Sequence, residues 1–134
     1  MIAADASVLV PALLSSHEFH DPCHESAGLI DSAIGHALIE TYAVLTRLPQ
    51  PYTVPPVQAS TALRSYGTNV LVLPGDELAD AIDRFVIARA SGGASYDALI
   101  AVTAKQHSAT LLTRDERAAE VYERLGTDVR WVAT

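Results

Sequence analysis

The sequence is poor in cysteine and has no long apolar run, and each absence excludes a class of protein. Cys23 is the only cysteine among 134 residues, so an intrachain disulfide is excluded. No apolar run approaches the roughly 20 residues that cross a bilayer. The N-terminal segment Met1–Asp5 ends in an acid and lacks the basic region of a signal peptide. These absences predict a cytoplasmic protein without a membrane segment.

Positive charge is also scarce. The chain has nine lysine and arginine residues against 16 acids, and its formal net charge is −7. Overall charge therefore disfavours nucleic-acid binding, because such binding requires cations that neutralise phosphates. A nucleic-acid enzyme of this composition must recruit positive charge locally, from metal ions or from arginines. Eight of the nine bases are arginine, which can bind a phosphate through two hydrogen bonds.

The remaining composition is that of a globular protein. Hydrophobic residues make up 49% and charged residues 19% of the chain. The seven glycines and seven prolines are scattered, so no segment reads as a linker. The length fits one domain, and we expect residues 1–134 to form it.

Short apolar segments alternate with helical patterns along the chain. The predicted strands are Ile2–Ala4, Asn69–Leu73, Thr110–Leu112 and Val129–Val132. The predicted helices are Val8–Leu14, a segment after Ser15–Glu25 that reaches about Ala33, His36–Leu48, Pro55 to about Tyr66, Asp76 to Gly92–Gly93, Ser95 (as cap) to about His107, and Asp115–Leu125. Strands separated by helices pair in parallel through right-handed crossovers. The fold class is therefore α/β, with a mostly parallel sheet between helices, and ligands are expected beyond the carboxyl ends of its strands.

Four acids lie where such a sheet places ligands. Asp5 directly follows the first predicted strand, and Asp115 follows, after two residues, the strand that precedes it. Asp97 lies in the first turn of a predicted helix. Glu40 lies inside a helix, on the apolar face that contains Ala37. The fold thus predicts that these carboxylates approach one edge of the sheet.

Each acid also has a purely structural interpretation. Asp5 can cap the first helix, and Asp97 can be no more than part of a helix start. Glu40 can pair with Arg47. Thr113 and Glu116 can form a capping box, in which Asp115 would have no role.

The four acids together favour a metal site. Unpaired carboxylates at one sheet edge would repel one another and raise one another's pKa values. A bound cation removes that cost, and Mg²⁺ and Mn²⁺ prefer oxygen ligands together with water and phosphates. Such a site suits metal-assisted hydrolysis of a phosphodiester.

The acids stand within four short motifs, Asp5–Ser7, Glu40–Pro49, Tyr96–Ala101 and Leu111–Asp115. In order, spacing and local context these motifs resemble those of the PIN-domain ribonucleases, and among them the VapC-type toxins of bacterial toxin–antitoxin pairs. The resemblance extends from Ile2 to about Val132. It implies a PIN-like three-layer sandwich, with a mostly parallel central sheet flanked by helices.

The resemblance also implies an activity and a set of site residues. The activity is endonucleolytic cleavage of RNA that leaves a 5′-phosphate and a 3′-hydroxyl and depends on Mg²⁺ or Mn²⁺. Ser7 and Thr113 match hydroxyl residues of the family, and we expect them to orient carboxylates or bound water. The implied catalytic and metal-binding acids are Asp5, Glu40, Asp97 and Asp115.

The partners implied by the resemblance are RNA, a small antitoxin that occupies the site through an inserted arginine, and a second copy of the chain. Higher toxin–antitoxin assemblies and a bacterial cytoplasmic location are expected as well. Between Gln50 and Arg89 no motif matches, so the RNA target is not predicted.

Several other residues allow two interpretations. Arg47 and Arg114 are candidates for RNA-phosphate contacts, but each can instead neutralise an acid of the site. Three aromatic residues can stack on bases or fill the core, namely Tyr42, Tyr96 and Trp131. A zinc site is weakly suggested, with no second cluster to complete it, by the spacing of His17, His20, Cys23 and His24.

Two other functional classes remain as alternatives. One is a non-catalytic PIN-like module that binds protein or RNA and whose acids are structural. The other is a phosphoacceptor signalling domain. Lys105, the only lysine, lies within a predicted helix rather than after a late strand, which disfavours the second class.

Overall fold

The computed structural model describes residues 1–134 and contains parallel strands alternating with α-helices. The strands are β1 (Ile2–Ala4), β2 (Ala33–Ile34), β3 (Val70–Leu71), β4 (Thr110–Thr113) and β5 (Asp128–Trp131). The helices are α1 (Ala6–Leu13), α2 (His20–Ala27), α3 (Gly35–Arg47), α4 (Pro56–Leu63), α5 (Leu78–Ile87), α6 (Ala94–Gln106) and α7 (Glu116–Arg124).

All strand pairs are parallel. One sheet has the order β1-β4-β5, and the second consists of β2 and β3. The two sheets adjoin where the carbonyl oxygen of Ile2 accepts hydrogen bonds from the backbone N–H groups of Asp31 and Ser32, at 3.0 and 3.2 Å. The predicted α/β class with a parallel sheet is therefore confirmed.

Helices cover both faces of the β1-β4 pair. Ala3 and Leu111 belong to a core cluster with residues of α5, α6 and α7. Their chain neighbours Ala4 and Leu112 belong to a second cluster with residues of α1 and α2. Because successive side chains of a strand point to opposite faces, the two clusters lie on opposite sides of the sheet. The result is the expected arrangement of helices, sheet and helices.

One predicted helix is wrong at its end. The helix expected to reach about Ala33 stops at Ala27, and Ala33–Ile34 form a buried strand that pairs with Val70–Leu71. The next helix, predicted from His36, begins one residue earlier at Gly35. A Cβ at that position would lie 3.0 Å from Cγ1 of Val72, so a larger residue would require that side chain to shift.

The ends of two later helices also differ from the prediction. The helix α5 starts at Leu78 after a 3₁₀ turn at Gly75–Glu77 and ends at Ile87, before Gly92–Gly93. Arg89, with φ of 59°, takes the left-handed conformation that reverses the chain. Ser95 does not cap α6, because it lies inside the first turn of that helix. None of the helices is long and apolar enough to span a membrane.

Candidate active site

Asp5 lies at the end of β1, where its backbone N–H continues the pairing with β4 by donating to the carbonyl oxygen of Leu112, at 3.1 Å. Its carboxylate is buried and accepts four hydrogen bonds. Oδ1 accepts from the backbone N–H (3.0 Å) and the hydroxyl of Ser7. Oδ2 accepts from the hydroxyls of Thr113 (2.6 Å) and Tyr122 (2.8 Å). Each carboxylate oxygen has about two acceptor positions, so the four donors fill them all.

These hydrogen bonds oppose the effect of burial on Asp5. Burial raises the pKa of the Asp5 carboxyl, whereas the hydrogen bonds from Ser7, Thr113 and Tyr122 act to lower it. Burial, the negative charge of Asp5 and the hydrogen bond to it raise the pKa of Tyr122. Tyr122 therefore remains a neutral hydrogen-bond donor to Asp5.

The same hydroxyls join the ends of β1 and β4. The Oγ of Ser7 accepts the backbone N–H of Arg114 at 2.8 Å and lies 3.3 Å from Oγ1 of Thr113. That Oγ1 in turn accepts the backbone N–H of Asp115 at 3.1 Å. The two strand ends are thus held together by side-chain hydroxyls.

Asp115 is itself the N-cap of α7. Its Oδ1 accepts the backbone N–H groups of Arg117 (3.0 Å) and Ala118 (3.1 Å), and its side chain is exposed. The alternative of a capping box, in which Asp115 has no role, is therefore wrong, because the hydroxyl of Thr113 donates to Asp5 instead. Only one oxygen of Asp115 serves the helix, so the other is free.

The other two acids lie on helices. Asp97 lies in the first turn of α6, and Glu40 lies in α3. Oε1 of Glu40 is 2.9 Å from Nε2 of His36, one helical turn earlier. The expected pairing of Glu40 with Arg47 is wrong. The His36 ring also stacks on Tyr96, with ring centroids 5.3 Å apart and planes 4° from parallel.

The negative charges of the other three acids all act on Asp97. Its pKa is raised to about 6, first by burial and then by the negative charges of Glu40, Asp115 and Asp5. No lysine or arginine forms an ion pair with any of these acids, since the only basic side chain in contact with them is His36, and the other pair of the molecule is a remote one on α7. The electrostatic repulsion at Asp97 is therefore not offset by a paired positive charge.

The donor set fits Mg²⁺ or Mn²⁺ in its chemistry. No three acidic, histidine or cysteine side chains lie close enough to one another to hold a metal ion without moving. The carboxylates nevertheless supply only oxygen donors, which these ions prefer. Asp97, Glu40 and Asp115 each retain at least one carboxylate oxygen without a hydrogen-bond partner in the protein.

Arg114 does not neutralise the acids. Its guanidinium lies 4.0 Å from the ring centroid of Phe19 and 5.5 Å from that of Trp131, and it donates to the carbonyl oxygen of Val132. Arg47 is exposed in the last turn of α3 and forms no ion pair. The interpretation of these arginines as partners of the acids is therefore wrong, and their contact with RNA stays a prediction.

The residues considered for a zinc site form other contacts, and the candidate stacking aromatics lie at the surface. His20 bonds through Nδ1 to the carbonyl oxygen of Pro11 at 2.8 Å, and Nδ1 of His17 accepts the backbone N–H of Phe19 at 3.1 Å. Cys23 is fully buried in the core cluster of α1 and α2. Each of the three candidate stacking aromatics is more than one third exposed, so none is a core residue: Tyr42 (38%), Tyr96 (57%) and Trp131 (45%).

Sequence reasoning missed Tyr122 and His36. His36 stands four residues before Glu40, a spacing that predicts a contact on one helix face. Tyr122 lies on the buried face of α7, and a buried tyrosine hydroxyl needs a partner. Which group serves as that partner depends on a contact across 117 residues.

Comparison with known proteins agrees with this architecture. The model of the PIN domain family matches residues 2–124. Ribonuclease VapC40 of Mycobacterium tuberculosis is 42% identical over 133 residues, covering 98% of this chain and 99% of the relative. Ribonuclease VapC27 of the same species is 39% identical over 136 residues, covering 96% and 94%.

Two solved structures share the fold. The structure of FitAB bound to an IR36 DNA fragment superposes with a TM-score of 0.75 at 19% identity, covering 98% of this chain and 94% of the other. FitAcB from Neisseria gonorrhoeae gives a TM-score of 0.69 at 18% identity, covering 96% of each chain.

The family match over most of the chain and the near-complete relatives define the class: this chain belongs to the PIN-domain family. Within that family it is a VapC-type protein, as its sequence motifs predicted.

Proposed function

We propose that this chain is a Mg²⁺- or Mn²⁺-dependent endoribonuclease, the toxin of a bacterial toxin–antitoxin pair, and that a cognate antitoxin inhibits it. The observation that carries the proposal is the set of four acids, in which the charges of Glu40, Asp115 and Asp5 act on Asp97 while no lysine or arginine pairs with any of them. A divalent cation supplies the missing positive charge. Its relatives bear the name ribonuclease, which supports RNA as the substrate.

The acids divide into two roles in this proposal. Glu40, Asp97 and Asp115 would hold the ion, since each has a carboxylate oxygen without a hydrogen-bond partner in the protein. Asp5 would be the fourth acid of the site, and hydrogen bonds from Ser7 and Thr113 keep its carboxylate in place. When bound, the ion supplies Lewis-acid activation of water and of the phosphate.

The reaction is hydrolysis of one phosphodiester bond. The oxygen of water bonds to phosphorus, the bond between phosphorus and O3′ breaks, and O3′ takes up a proton. The products carry a 5′-phosphate and a 3′-hydroxyl.

The antitoxin is expected to act by charge. A cluster of four acids with only a histidine beside it is complementary to a cationic side chain, such as an arginine inserted in place of the metal. FitAB and FitAcB are names of solved structures with this fold. We further propose a homodimer in the bacterial cytoplasm, and toxin–antitoxin assemblies of higher order.

Asp97→Asn tests the catalytic assignment. We expect RNA cleavage in Mg²⁺ to fall by roughly a hundredfold or more, because altering even the outer-shell partners of a metal typically costs about 10–100-fold. Thermal unfolding should be unchanged or occur at a higher temperature, because repulsion among the acids falls. Asp83→Asn, at an exposed acid of α5, is the matched control and should cleave normally. Undiminished cleavage by Asp97→Asn would exclude the proposed site.

The alternative of a non-catalytic binding module has one observation in its favour, since Asp5 and Asp115 do cap helices. Expression with and without the adjacent reading frame, followed by sequencing of RNA ends, separates the two. Growth arrest relieved by the neighbouring gene, with new RNA ends that disappear on Asp97→Asn, supports the toxin. Arrest without new RNA ends supports the binding module.

A further inference from the structure

We call Asp5, Glu40, Asp97 and Asp115 the acid cluster, and Asp5 with Asp115 its strand-end part. A cleft of about 410 Å³ opens directly beside that part, at Asp115. Ser7 and Asp115 line one side of it, so the cleft and the acid cluster share Asp115. Its volume lies in the range of about 300–1,000 Å³ that is typical of ligand pockets. A molecule that reaches Asp115 therefore also reaches this cleft.

The other walls of the cleft are apolar and aromatic. Val10, Pro11 and Val44 contribute aliphatic surface, and the partly exposed ring of Phe19 stands beside them. Aliphatic and aromatic surface of this kind suits the flat face of a nucleobase, which stacks on side chains without regard to its sequence.

A fixed positive charge stands at the same cleft. Arg114 lines it and is held by the ring of Phe19 at 4.0 Å, with Trp131 at 5.5 Å, rather than by a carboxylate. Its charge is thus not neutralised within the protein. Although the chain has a net charge of −7, this unpaired arginine next to the acid cluster is complementary to a phosphate.

His17 adds a hydrogen-bond donor to the lining. Its Nδ1 accepts the backbone N–H of Phe19 at 3.1 Å, so the neutral ring carries its hydrogen on Nε2. That N–H has no partner in the protein, and it is the kind of group that recognises the polar edge of a base.

We propose that this cleft is a subsite for one nucleotide of single-stranded RNA next to the cleaved phosphodiester, with the base against the apolar wall that includes Phe19 and a phosphate at Arg114. The inference rests on the proposed ribonuclease function and names the residues that position its substrate. The unpaired charge of the cleft itself is the cation Arg114, which suits a phosphate of RNA better than the cationic antitoxin segment expected at the acids.

The test compares wild-type cleavage of a short single-stranded RNA with that of the same RNA carrying an abasic nucleotide on one or the other side of the cleaved bond. On one side only, we expect the abasic nucleotide to raise KM about tenfold, equivalent to about 1.4 kcal/mol, while kcat changes less than about twofold. Phe19→Leu should raise KM for intact RNA by a similar factor, and the abasic nucleotide should then cause no further loss.

A second test variant, Arg114→Gln, and a control variant, Tyr52→Leu, sharpen the result. Arg114→Gln should weaken binding of intact and abasic RNA equally and reduce its salt dependence. Tyr52→Leu removes an exposed aromatic ring that does not line the cleft, and it should leave both KM values unchanged. If Phe19→Leu lowers the thermal unfolding temperature, the abasic comparison on the wild type still decides.

The outcomes separate the subsite from the activity itself. Absence of cleavage of intact RNA by the wild type would overturn the proposed function. Normal cleavage with no effect of the abasic nucleotide on either side would overturn the subsite. Phe19→Leu that weakens only the capture of a co-expressed antitoxin, with unchanged RNA kinetics, would assign the cleft to that protein and also overturn the subsite.

Discussion

The strand-end part of the acid cluster, at the ends of β1 and β4, is held differently from the part on α3 and α6. At the strand ends, both oxygens of Asp5 and one of Asp115 accept hydrogen bonds. On the helices, Asp97 has no such partner, and Glu40 contacts only His36. Donors of the protein thus hold the strand-end carboxylates, whereas the negative charges of the other acids act on Asp97.

This difference assigns different physical roles to the two parts. Hydrogen bonds from the protein hold the carboxylates of Asp5 and Asp115 in place. Repulsion at Asp97 is relieved only by a proton or a cation. We therefore expect the strand-end part to govern folding stability and the helix part to govern the response to ions and pH.

The largest expected difference is between Asp5→Ala and Asp97→Ala. Asp5→Ala leaves the buried hydroxyls of Thr113 and Tyr122 without their acceptor, at about 1–3 kcal/mol each. We expect its free energy of unfolding to fall by about 3 kcal/mol or more, and that of Asp97→Ala to stay the same or rise. Urea unfolding in EDTA measures both, and equal losses would contradict the distinction.

A smaller effect is expected from one hydroxyl of the strand-end part. Tyr122→Phe removes a single hydrogen bond to the buried Asp5 and should lower the free energy of unfolding by about 1–2 kcal/mol. Tyr66→Phe is the matched control, because Tyr66 is half-buried and its hydroxyl forms no hydrogen bond in the protein. A loss of equal size in both variants would show that Asp5 is not the cause.

The pH dependence of stability probes the helix part. The pKa of Asp97 is raised from 3.8 to about 6, so the folded protein binds more protons than the unfolded chain between these values. The free energy of unfolding therefore falls as pH rises from about 4 to about 6. Allowing for solvent screening at this partly exposed group, we expect a contribution of about 1 kcal/mol. Denaturant unfolding in EDTA should give a flatter pH profile for Asp97→Asn, and parallel profiles would refute the assignment.

The smallest effect is expected at His36. Its pair with Glu40 is partly exposed, so His36→Ala should change the free energy of unfolding by less than about 0.5 kcal/mol. The pair Arg124–Glu120 has the same spacing outside the site, and Arg124→Ala provides the control. A loss above about 1 kcal/mol for His36→Ala alone would place Glu40 among the strongly held acids.

Local patterns predicted the parts of the site that depend on chain neighbours. Short apolar segments followed by Asp5 and by Asp115 marked the ends of β1 and β4. The helical face of Glu40 followed from its spacing to Ala37. These features depend on a few adjacent residues, so the periodicity of side chains reveals them.

Features that depend on distant pairing were not predictable in this way. Ala33–Ile34 gave no strand signal of its own, since two residues become a strand only by pairing with Val70–Leu71. The capping box at Thr113 was a valid local pattern, but the hydroxyl of Thr113 bonds to Asp5, 108 residues away. A long-range buried contact outcompeted the local one.

The sequence by itself determined the donors and their order: four carboxylates, a single lysine, and strands that alternate with helices. Only the tertiary structure decided which acid is satisfied by hydroxyls and which faces other charges. It also placed Arg114 on Phe19 rather than against an acid. The reason is physical, because charge and periodicity belong to the chain locally, whereas hydrogen bonding and desolvation depend on groups that packing brings together from its whole length.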